Sequence, residues 1–143
     1  MKLFAILLFT ANLAWSNTVV WGPTGHRVVG KVAEEHLSGR AKRAVKKLLG
    51  GTSLALASTF ADEIKSDREY REYSPWHYVN MALDKKYGEE PVSEDGDLVR
   101  GIEKCIAVLK DKNAPDKDKA FYLKMLVHFI GDLHQPLHIG RAE

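Results

Sequence analysis

The chain has 143 residues, 45% hydrophobic and 28% charged, a length and composition that suit one globular domain. Its 21 Lys and Arg residues face 19 Asp and Glu residues, for a net charge of +2 at pH 7. This balance argues against a protein that holds nucleic acid chiefly through a broad basic face. Cys105 is the only cysteine, which excludes an intrachain disulfide and a Cys-rich zinc module. Any zinc site must therefore use His and carboxylate ligands.

Residues 1–20 have the features of a secretory signal peptide. Met1-Lys2 is a short basic start, and Leu3 to Trp15 is an uncharged, mostly apolar run. The run is too short for a comfortable membrane span, so we expect it to be removed from an exported protein that is periplasmic or secreted, without stable membrane association. Its removal takes away Lys2 and leaves 20 basic against 19 acidic residues, a net charge of +1.

The remaining sequence predicts an all-α fold. Apolar residues recur at intervals of three and four over residues 28–49, which predicts two helices with a break near Ser38-Gly39. Ser53 can cap a third helix that runs through Ile64. We found no strand alternation and no internal repeat.

Proline residues mark two further boundaries. Pro75 disfavours helix at the residue before it, so residues 76–80 are predicted to be extended or to turn. Pro136 ends a longer helix. The longer helix is predicted at about residues 120–133. Residues 84–96 are predicted to form a polar loop, and residues 97–110 an amphipathic helix.

The strongest chemical signal is H-F-I-G-D-L-H-Q-P-L-H at residues 128–138. His128 and Asp132 are four residues apart on a helix, so they share a face about 6 Å apart along the axis. His138 lies beyond Pro136, where a tight turn could fold it back over the helix end. The pattern indicates a metal site, and the alternative is a helix-capping Asp with two hydrogen-bonded histidines.

The segment W-G-P-T-G-H at residues 21–26 suggests a second metal-binding element. Pro23 and the glycines predict a tight turn. If Trp21 is the first residue of the mature chain, its amine and carbonyl oxygen can chelate a metal, with His26 as the next ligand. The alternative is a buried aromatic side chain beside an ordinary turn.

The segments A-D-E-I-K and P-W-H-Y-V-N supply further candidates. Asp62 and Lys65 are three apart on a helix, so the carboxylate could bind metal while the ammonium group faces a phosphate oxygen. In an extended segment, His77 points away from Tyr78 and Asn80. Tyr78 could then stack on a base and Asn80 could hydrogen-bond its edge, although plain packing is the alternative for Tyr78.

Together, W-G-x-x-G-H, A-D-E-I-K, W-H-Y-V-N and H-F-I-G-D-L-H-Q-P-L-H, in this order, closely resemble the S1/P1 nuclease family over residues 21–143. The resemblance implies a phospholipase C/P1 nuclease-like helical fold, a monomer and three zinc ions without sulfur ligands. It also implies endonucleolytic hydrolysis of single-stranded DNA and RNA to 5′-phosphate products, and removal of the 3′-phosphate from nucleotides.

The resemblance also implies ligands and catalytic residues. One zinc would be bound by Asp62, His77, His128 and Asp132. A neighbouring zinc would be bound by Trp21 and His26 and bridged by Asp132. His138 would bind the third zinc. The implied catalytic residues are Asp62, Lys65 and Asp132. The family commonly has Arg where this chain has Lys65, which keeps the charge but loses the bidentate fork.

Two departures from the family pattern affect these expectations. A cleavage site after Ala14-Trp15-Ser16 would leave four residues ahead of Trp21 and block the amine chelate. In the family, the remaining ligands of the third zinc come from a second His-x-x-x-Asp pair further along the chain. No such pair occurs between His138 and Glu143. We therefore expect residues 21–143 to be the N-terminal part of one nuclease domain, incomplete at its C-terminus.

Two alternative functions fit the same motifs. A zinc phospholipase C resembles this family in fold and in the His-x-x-x-Asp spacing, but its first His lies further from the N-terminal Trp. An exported zinc-binding protein without catalysis is the alternative from another class. For the nuclease we expect metal-assisted, in-line phosphodiester hydrolysis, with Lys65 offsetting charge on the phosphate.

Overall fold

The computed structural model describes residues 21–140, which form helices joined by loops, so the all-α prediction is confirmed. The predicted signal peptide, residues 1–20, lies outside the described residues. Within residues 21–140 the β structure is a single bridge between Val79 and Ile139. The described residues form six α-helices, α1 Pro23–His36, α2 Gly39–Leu48, α3 Leu54–Ala57, α4 Phe60–Ile64, α5 Leu98–Lys110 and α6 Asp116–Leu133, and two 3₁₀ helices, Arg68–His77 and Pro136–His138.

Side-chain caps define several helix starts. The Ser38 hydroxyl accepts a hydrogen bond from the Ala41 amide at the start of α2, which confirms the predicted break near Ser38-Gly39. Ser53 caps α3 in the same way. Asp97 accepts a hydrogen bond from the Arg100 amide and begins α5 as predicted. Each cap satisfies an amide that has no partner within its helix.

Two helices begin earlier than the sequence predicts. The predicted turn at residues 21–26 is wrong, because α1 starts at Pro23 and places His26 in its first turn. A proline is well suited to the first helical position, where its missing N–H costs nothing. Helix α6 starts at Asp116, not near Ala120, and its first turn carries Asp116 and Asp118, which complement the helix dipole.

Two other predictions fail because side chains compete with regular structure. The predicted third helix is split into α3 and α4, since the hydroxyls of Ser58 and Thr59 bond the carbonyls of the preceding turn. The extended segment begins at Tyr78, whereas the 3₁₀ helix includes residues 76–77. The Trp76 indole donates to the Asp95 carbonyl, 3.2 Å away, and this tertiary contact overrides the local preference.

Helix α6 is the central element of the fold. It contacts the other five α-helices, and its buried side chains take part in two hydrophobic clusters. One cluster surrounds Leu98, Met125 and Phe129, which are all 0% exposed, and the other lies between α3 and Val127. Among the described helices, none is long and apolar enough to cross a membrane.

Candidate metal centre

Helix α6 places two buried polar side chains on one face near its C-terminus. His128 is 0% and Asp132 1% exposed, and His128 Nε2 lies 3.2 Å from Asp132 Oδ2. The other ring nitrogen of His128 lies 2.7 Å from the Ser58 carbonyl oxygen. Because a carbonyl only accepts, His128 Nδ1–H is the donor, which leaves Nε2 as the nitrogen that faces Asp132.

His77 and Asp62 bring two more donor atoms to the same point. His77 Nδ1 is 3.1 Å from Asp132 Oδ2 and 3.2 Å from His128 Nε2. Asp62 Oδ1, on α4, is 3.7 Å from His128 Nε2 and 3.9 Å from His77 Nδ1. Donor atoms of His77, His128 and Asp132 therefore lie within 3.2 Å of one another, and Asp62 Oδ1 lies within 3.9 Å of the two histidine nitrogens.

The spacing of these atoms suits zinc. With zinc–ligand distances of about 2.0–2.2 Å, the edges of a tetrahedral site are roughly 3.3–3.6 Å. The three shortest separations, which join His77, His128 and Asp132, are 3.1, 3.2 and 3.2 Å, and those to Asp62 are slightly longer. The donor set of imidazole nitrogens and carboxylate oxygens matches the sulfur-free chemistry expected from the sequence.

His26 lies on the other side of the two carboxylates. Its Nε2 is 3.4 Å from Asp132 Oδ1 and 4.0 Å from Asp62 Oδ2. The His26 ring stacks on His128 with centroids 3.8 Å apart, and the Trp21 indole packs edge-on against it at 6.2 Å. Each carboxylate thus turns one oxygen toward His77 and His128 and the other toward His26, as a ligand that bridges two metals would.

Asp132 is the most constrained charge in this cluster. Burial opposes its ionisation, but hydrogen bonds from His128 and His77, and the charges of these rings, hold its pKa below the usual range. Both imidazoles can donate only while protonated on the nitrogen that faces Asp132. A bound cation would replace those protons.

The second oxygen of Asp132 has no hydrogen-bond partner among the described residues. Asp132 Oδ1 is buried, and the ring nitrogens of His26 and His138, 3.4 and 3.6 Å away, do not form a hydrogen bond with it. Burial and then the charge of His128 lower the pKa of His26, so the ring is neutral and able to bind a metal. A buried carboxylate oxygen beside neutral imidazoles is an environment that favours a cation.

His138 lies beside the centre. Its Nδ1 donates to the His77 carbonyl oxygen at 2.8 Å, which leaves Nε2 as the available nitrogen. Among residues 21–140, the groups that could hold a metal are His26–Asp62–His128 and His77–His128–Asp132, and His138 belongs to neither. Its predicted place in a third site, with ligands from elsewhere, therefore stays a prediction.

The predicted substrate residues line an open cleft next to the metal centre. Lys65, Tyr78 and Asn80 border a cleft of about 310 Å³ together with His77 and His138. As predicted from strand alternation, His77 is buried, whereas Tyr78 and Asn80 are exposed. The last two also border a second cavity beneath the loop that the sequence predicted at residues 84–96.

Sequence reasoning missed two groups that shape the centre. One is the Ser58 carbonyl, which fixes the His128 tautomer and which no sequence pattern reveals, because every residue has a carbonyl. The other is Gly131, where a Cβ atom would lie 2.5 Å from His26 Nδ1. A glycine inside a helix, between His128 and Asp132, was a signal for this close approach.

Comparisons with known proteins agree with this geometry. The S1/P1 nuclease family model matches residues 21–143. The chain is 31% identical to Endonuclease 4 of Arabidopsis thaliana over 96% of the chain and 50% of that protein. It is 30% identical to Nuclease S1 of Aspergillus oryzae over 88% of the chain and 46% of that protein. It is 28% identical to Nuclease P1 of Penicillium citrinum over 82% of the chain and 47% of that protein.

The chain spans about half the length of these curated relatives. The family match nevertheless covers every described residue of the candidate centre. The predicted resemblance is confirmed, and the chain belongs to the S1/P1 nuclease family.

Proposed function

We propose that this chain provides the zinc-binding core of an exported nuclease that hydrolyses phosphodiester bonds of single-stranded DNA and RNA to 5′-phosphate products. The proposal includes a 3′-nucleotidase activity on nucleotides. One observation carries it: the two oxygens of buried Asp132 face two different sets of imidazole nitrogens. The relatives named endonuclease or nuclease support hydrolysis of nucleic acid over a phospholipase or a purely structural zinc protein.

The proposed ligands fall into the groups that the resemblance implies. The first zinc takes Asp62, His77, His128 and Asp132. Donor atoms of the last three lie 3.1–3.2 Å apart, and Asp62 Oδ1 lies 3.7 and 3.9 Å from the two imidazole nitrogens. The second takes His26, with Asp132 as the bridge and with the main chain of Trp21 if signal cleavage exposes its amine. A third zinc takes His138 as one of its ligands.

When bound, zinc supplies Lewis-acid activation of water and neutralises charge on the phosphate. The chain's own residues provide the setting for that chemistry. Burial of Asp132 and of the histidines keeps bulk water from competing for the donor atoms. We propose that the Lys65 ammonium, which lies on the same cleft, pairs with a phosphate oxygen and stabilises its growing charge.

We propose that the cleft selects single strands through a base-stacking side chain. Tyr78 is 41% exposed and borders the cleft that contains His138 and Lys65. Stacking on an aromatic ring requires a base that is free of its own neighbours, which single strands offer and duplexes do not. Asn80, exposed on the same side, can bond the edge of that base, because its amide both donates and accepts.

The proposal is tested by metal content and hydrolysis in the complete, zinc-loaded protein. We expect wild type to cut single-stranded DNA, to lose activity in chelator and to regain it with zinc. We expect Asp132→Asn to lower kcat/KM by at least a hundredfold, because the bridging charge is lost, and to bind less zinc by elemental analysis.

The matched control is Asp118→Asn, which removes one carboxylate from the first turn of the same helix. This variant should keep both zinc and activity. Full activity of wild type in chelator would refute the zinc mechanism, and full zinc content in Asp132→Asn would refute the bridging role.

A further inference from the structure

Helix α2 concentrates the positive charge of the chain. Its sequence G-R-A-K-R-A-V-K-K-L has five basic residues and no acidic residue. The rest of the chain has 16 basic against 19 acidic residues, a net charge of −3, so the excess of positive charge in the whole sequence comes from this one helix. A local excess of this kind sets the electrostatic field around a nearly neutral protein.

The basic side chains cover the outward face of α2. The side of the helix that carries Ala41, Val45 and Leu48 is half-buried, and the opposite arc holds the basic residues. All of these are exposed: Arg40, Lys42, Arg43, Lys46 and Lys47.

Most of this charge is available to a partner. Within residues 21–140, only Lys47 of the five forms an ion pair, with Asp116 at 3.3 Å. Lys42 and Lys46 also border an open cleft of about 350 Å³ whose opposite wall is Gly51, Thr52 and Ser53. The Thr52 hydroxyl on this cleft can bond a phosphate, although Glu34 lies on the same cleft.

The basic face is far from the metal centre. The Lys47–Asp116 ion pair fixes the end of α2 beside the start of α6, whereas Asp132 lies near the end of α6. The sixteen helical steps from Asp116 to Asp132 rise by about 24 Å. At about 3.4 Å per stacked nucleotide, a strand needs roughly seven nucleotides to span that distance.

We propose that the outward face of α2 is an accessory surface that binds the phosphate backbone of long single-stranded nucleic acid, away from the bond that is cut. This inference rests on the proposed nuclease function for its choice of partner. The surface raises the affinity for long strands and leaves the affinity for substrates shorter than about seven nucleotides unchanged. The low net charge of the chain is consistent with an accessory role. The α2 face adds to binding at the metal centre and does not replace it.

The test compares two triple variants in the complete, zinc-loaded protein. Lys42→Gln, Arg43→Gln and Lys46→Gln remove charge from α2 with a residue of similar helix propensity. Lys104→Gln, Lys110→Gln and Lys112→Gln remove the same charge from exposed positions on and after α5. Circular dichroism and thermal unfolding check that both variants fold.

Binding to a phosphorothioate 30-mer of thymidine, which is hydrolysed slowly, is measured by fluorescence anisotropy at several KCl concentrations. We expect the α2 variant to bind about tenfold more weakly and the salt dependence of log K to fall by up to about 2, at about 0.7 per lost phosphate contact. In hydrolysis, KM should rise for the normal 30-mer with kcat unchanged. Rates on a dinucleotide should match wild type in both variants.

Three results would overturn the inference. Wild-type affinity of the α2 variant for the 30-mer would show that the face is only solvated. Equal losses in both triple variants would show a general charge effect. Weaker binding to vesicles of anionic phospholipid, with normal binding to the 30-mer, would assign the face to a membrane. Failure of wild type to hydrolyse the normal 30-mer would refute the proposed function, whereas the binding comparison would still decide the role of the α2 face.

Discussion

At the scale of single residues, the histidines are held by main-chain carbonyls. The Ser58 carbonyl accepts from His128 Nδ1, and the His77 carbonyl accepts from His138 Nδ1. Each bond fixes a ring orientation and a tautomer, and so selects the nitrogen that is available to a metal. The sequence indicated which histidines to consider, but it could not indicate which nitrogen each one presents, because that depends on carbonyls some 60 to 70 residues away.

Gly131 gives a residue-scale prediction. In Gly131→Ala, the new Cβ would lie 2.5 Å from His26 Nδ1, so the His26 ring must move away from Asp132. We expect zinc affinity to fall by about ten- to hundredfold, the range typical of altered ligand support. The measurement is zinc competition against a calibrated chelator, with NMR of the His26 ring as the structural readout.

The control for Gly131→Ala is Leu133→Ala, two residues along the same helix and 40% exposed. It should leave zinc affinity unchanged. Alanine is the better helix former, so a loss of zinc in Gly131→Ala cannot come from a weakened helix. Wild-type affinity and an unshifted His26 resonance in Gly131→Ala would show that the ring does not depend on the glycine.

At the scale of elements, the sequence predicts those helices whose ends are determined locally. Helices α2 and α5 follow from an apolar stripe and a capping Ser38 or Asp97, and both occur as predicted. The division between α3 and α4 and the 3₁₀ helix Arg68–His77 were not predicted. They depend on hydroxyl-to-carbonyl bonds and on contacts between Trp76 and a distant loop, which no local pattern encodes.

The packing of α1 on α3 gives a prediction at this scale. A Cβ at Gly30 would lie 2.5 Å from the Leu54 carbonyl oxygen, a backbone atom that cannot rotate away as a side chain can. Gly30→Ala should therefore separate the two helices and lower the free energy of unfolding by about 1–3 kcal/mol. Because α1 carries His26, we also expect weaker zinc binding. Denaturant unfolding and zinc competition measure the two effects.

Gly39→Ala provides the matched control, since Gly39 is also in a helix and a Cβ there would meet only the end of Arg43 at 3.6 Å. It should be neutral or stabilising by up to about 1 kcal/mol. Equal stability of Gly30→Ala and Gly39→Ala would mean that the α1–α3 contact is looser than this structure has it.

At the scale of the whole molecule, the candidate centre brings distant elements of the fold into contact. Its donor atoms come from α1, α4, α6 and the 3₁₀ helix Arg68–His77, four elements that are separate in sequence. The sequence predicted which side chains meet, through the order of its motifs. The resemblance implied that Asp132 bridges two metals, but it did not imply that Asp62 also turns its two oxygens to opposite sides, because carboxylate orientation follows from the packing of the whole domain.

This arrangement couples zinc binding to folding. A ligand that binds the folded chain and not the unfolded chain stabilises it by about 2.7 kcal/mol at a hundred times its Kd. For a domain of this size, zinc added to metal-free protein should therefore raise Tm by roughly 10 °C, measured by differential scanning calorimetry. Asp132→Asn should lose most of that rise, because it removes the charge of the carboxylate that both halves of the centre share.

Lys65→Gln separates this stabilisation from catalysis. Lys65 lies on the cleft and is not among the candidate ligands, so the variant should keep the full zinc-induced rise in Tm while its rate of single-strand hydrolysis falls. Two outcomes would contradict the coupling. An equal rise in Tm for Asp132→Asn would place the stabilising zinc elsewhere, and no rise in wild type would mean that the four elements are assembled without the metal.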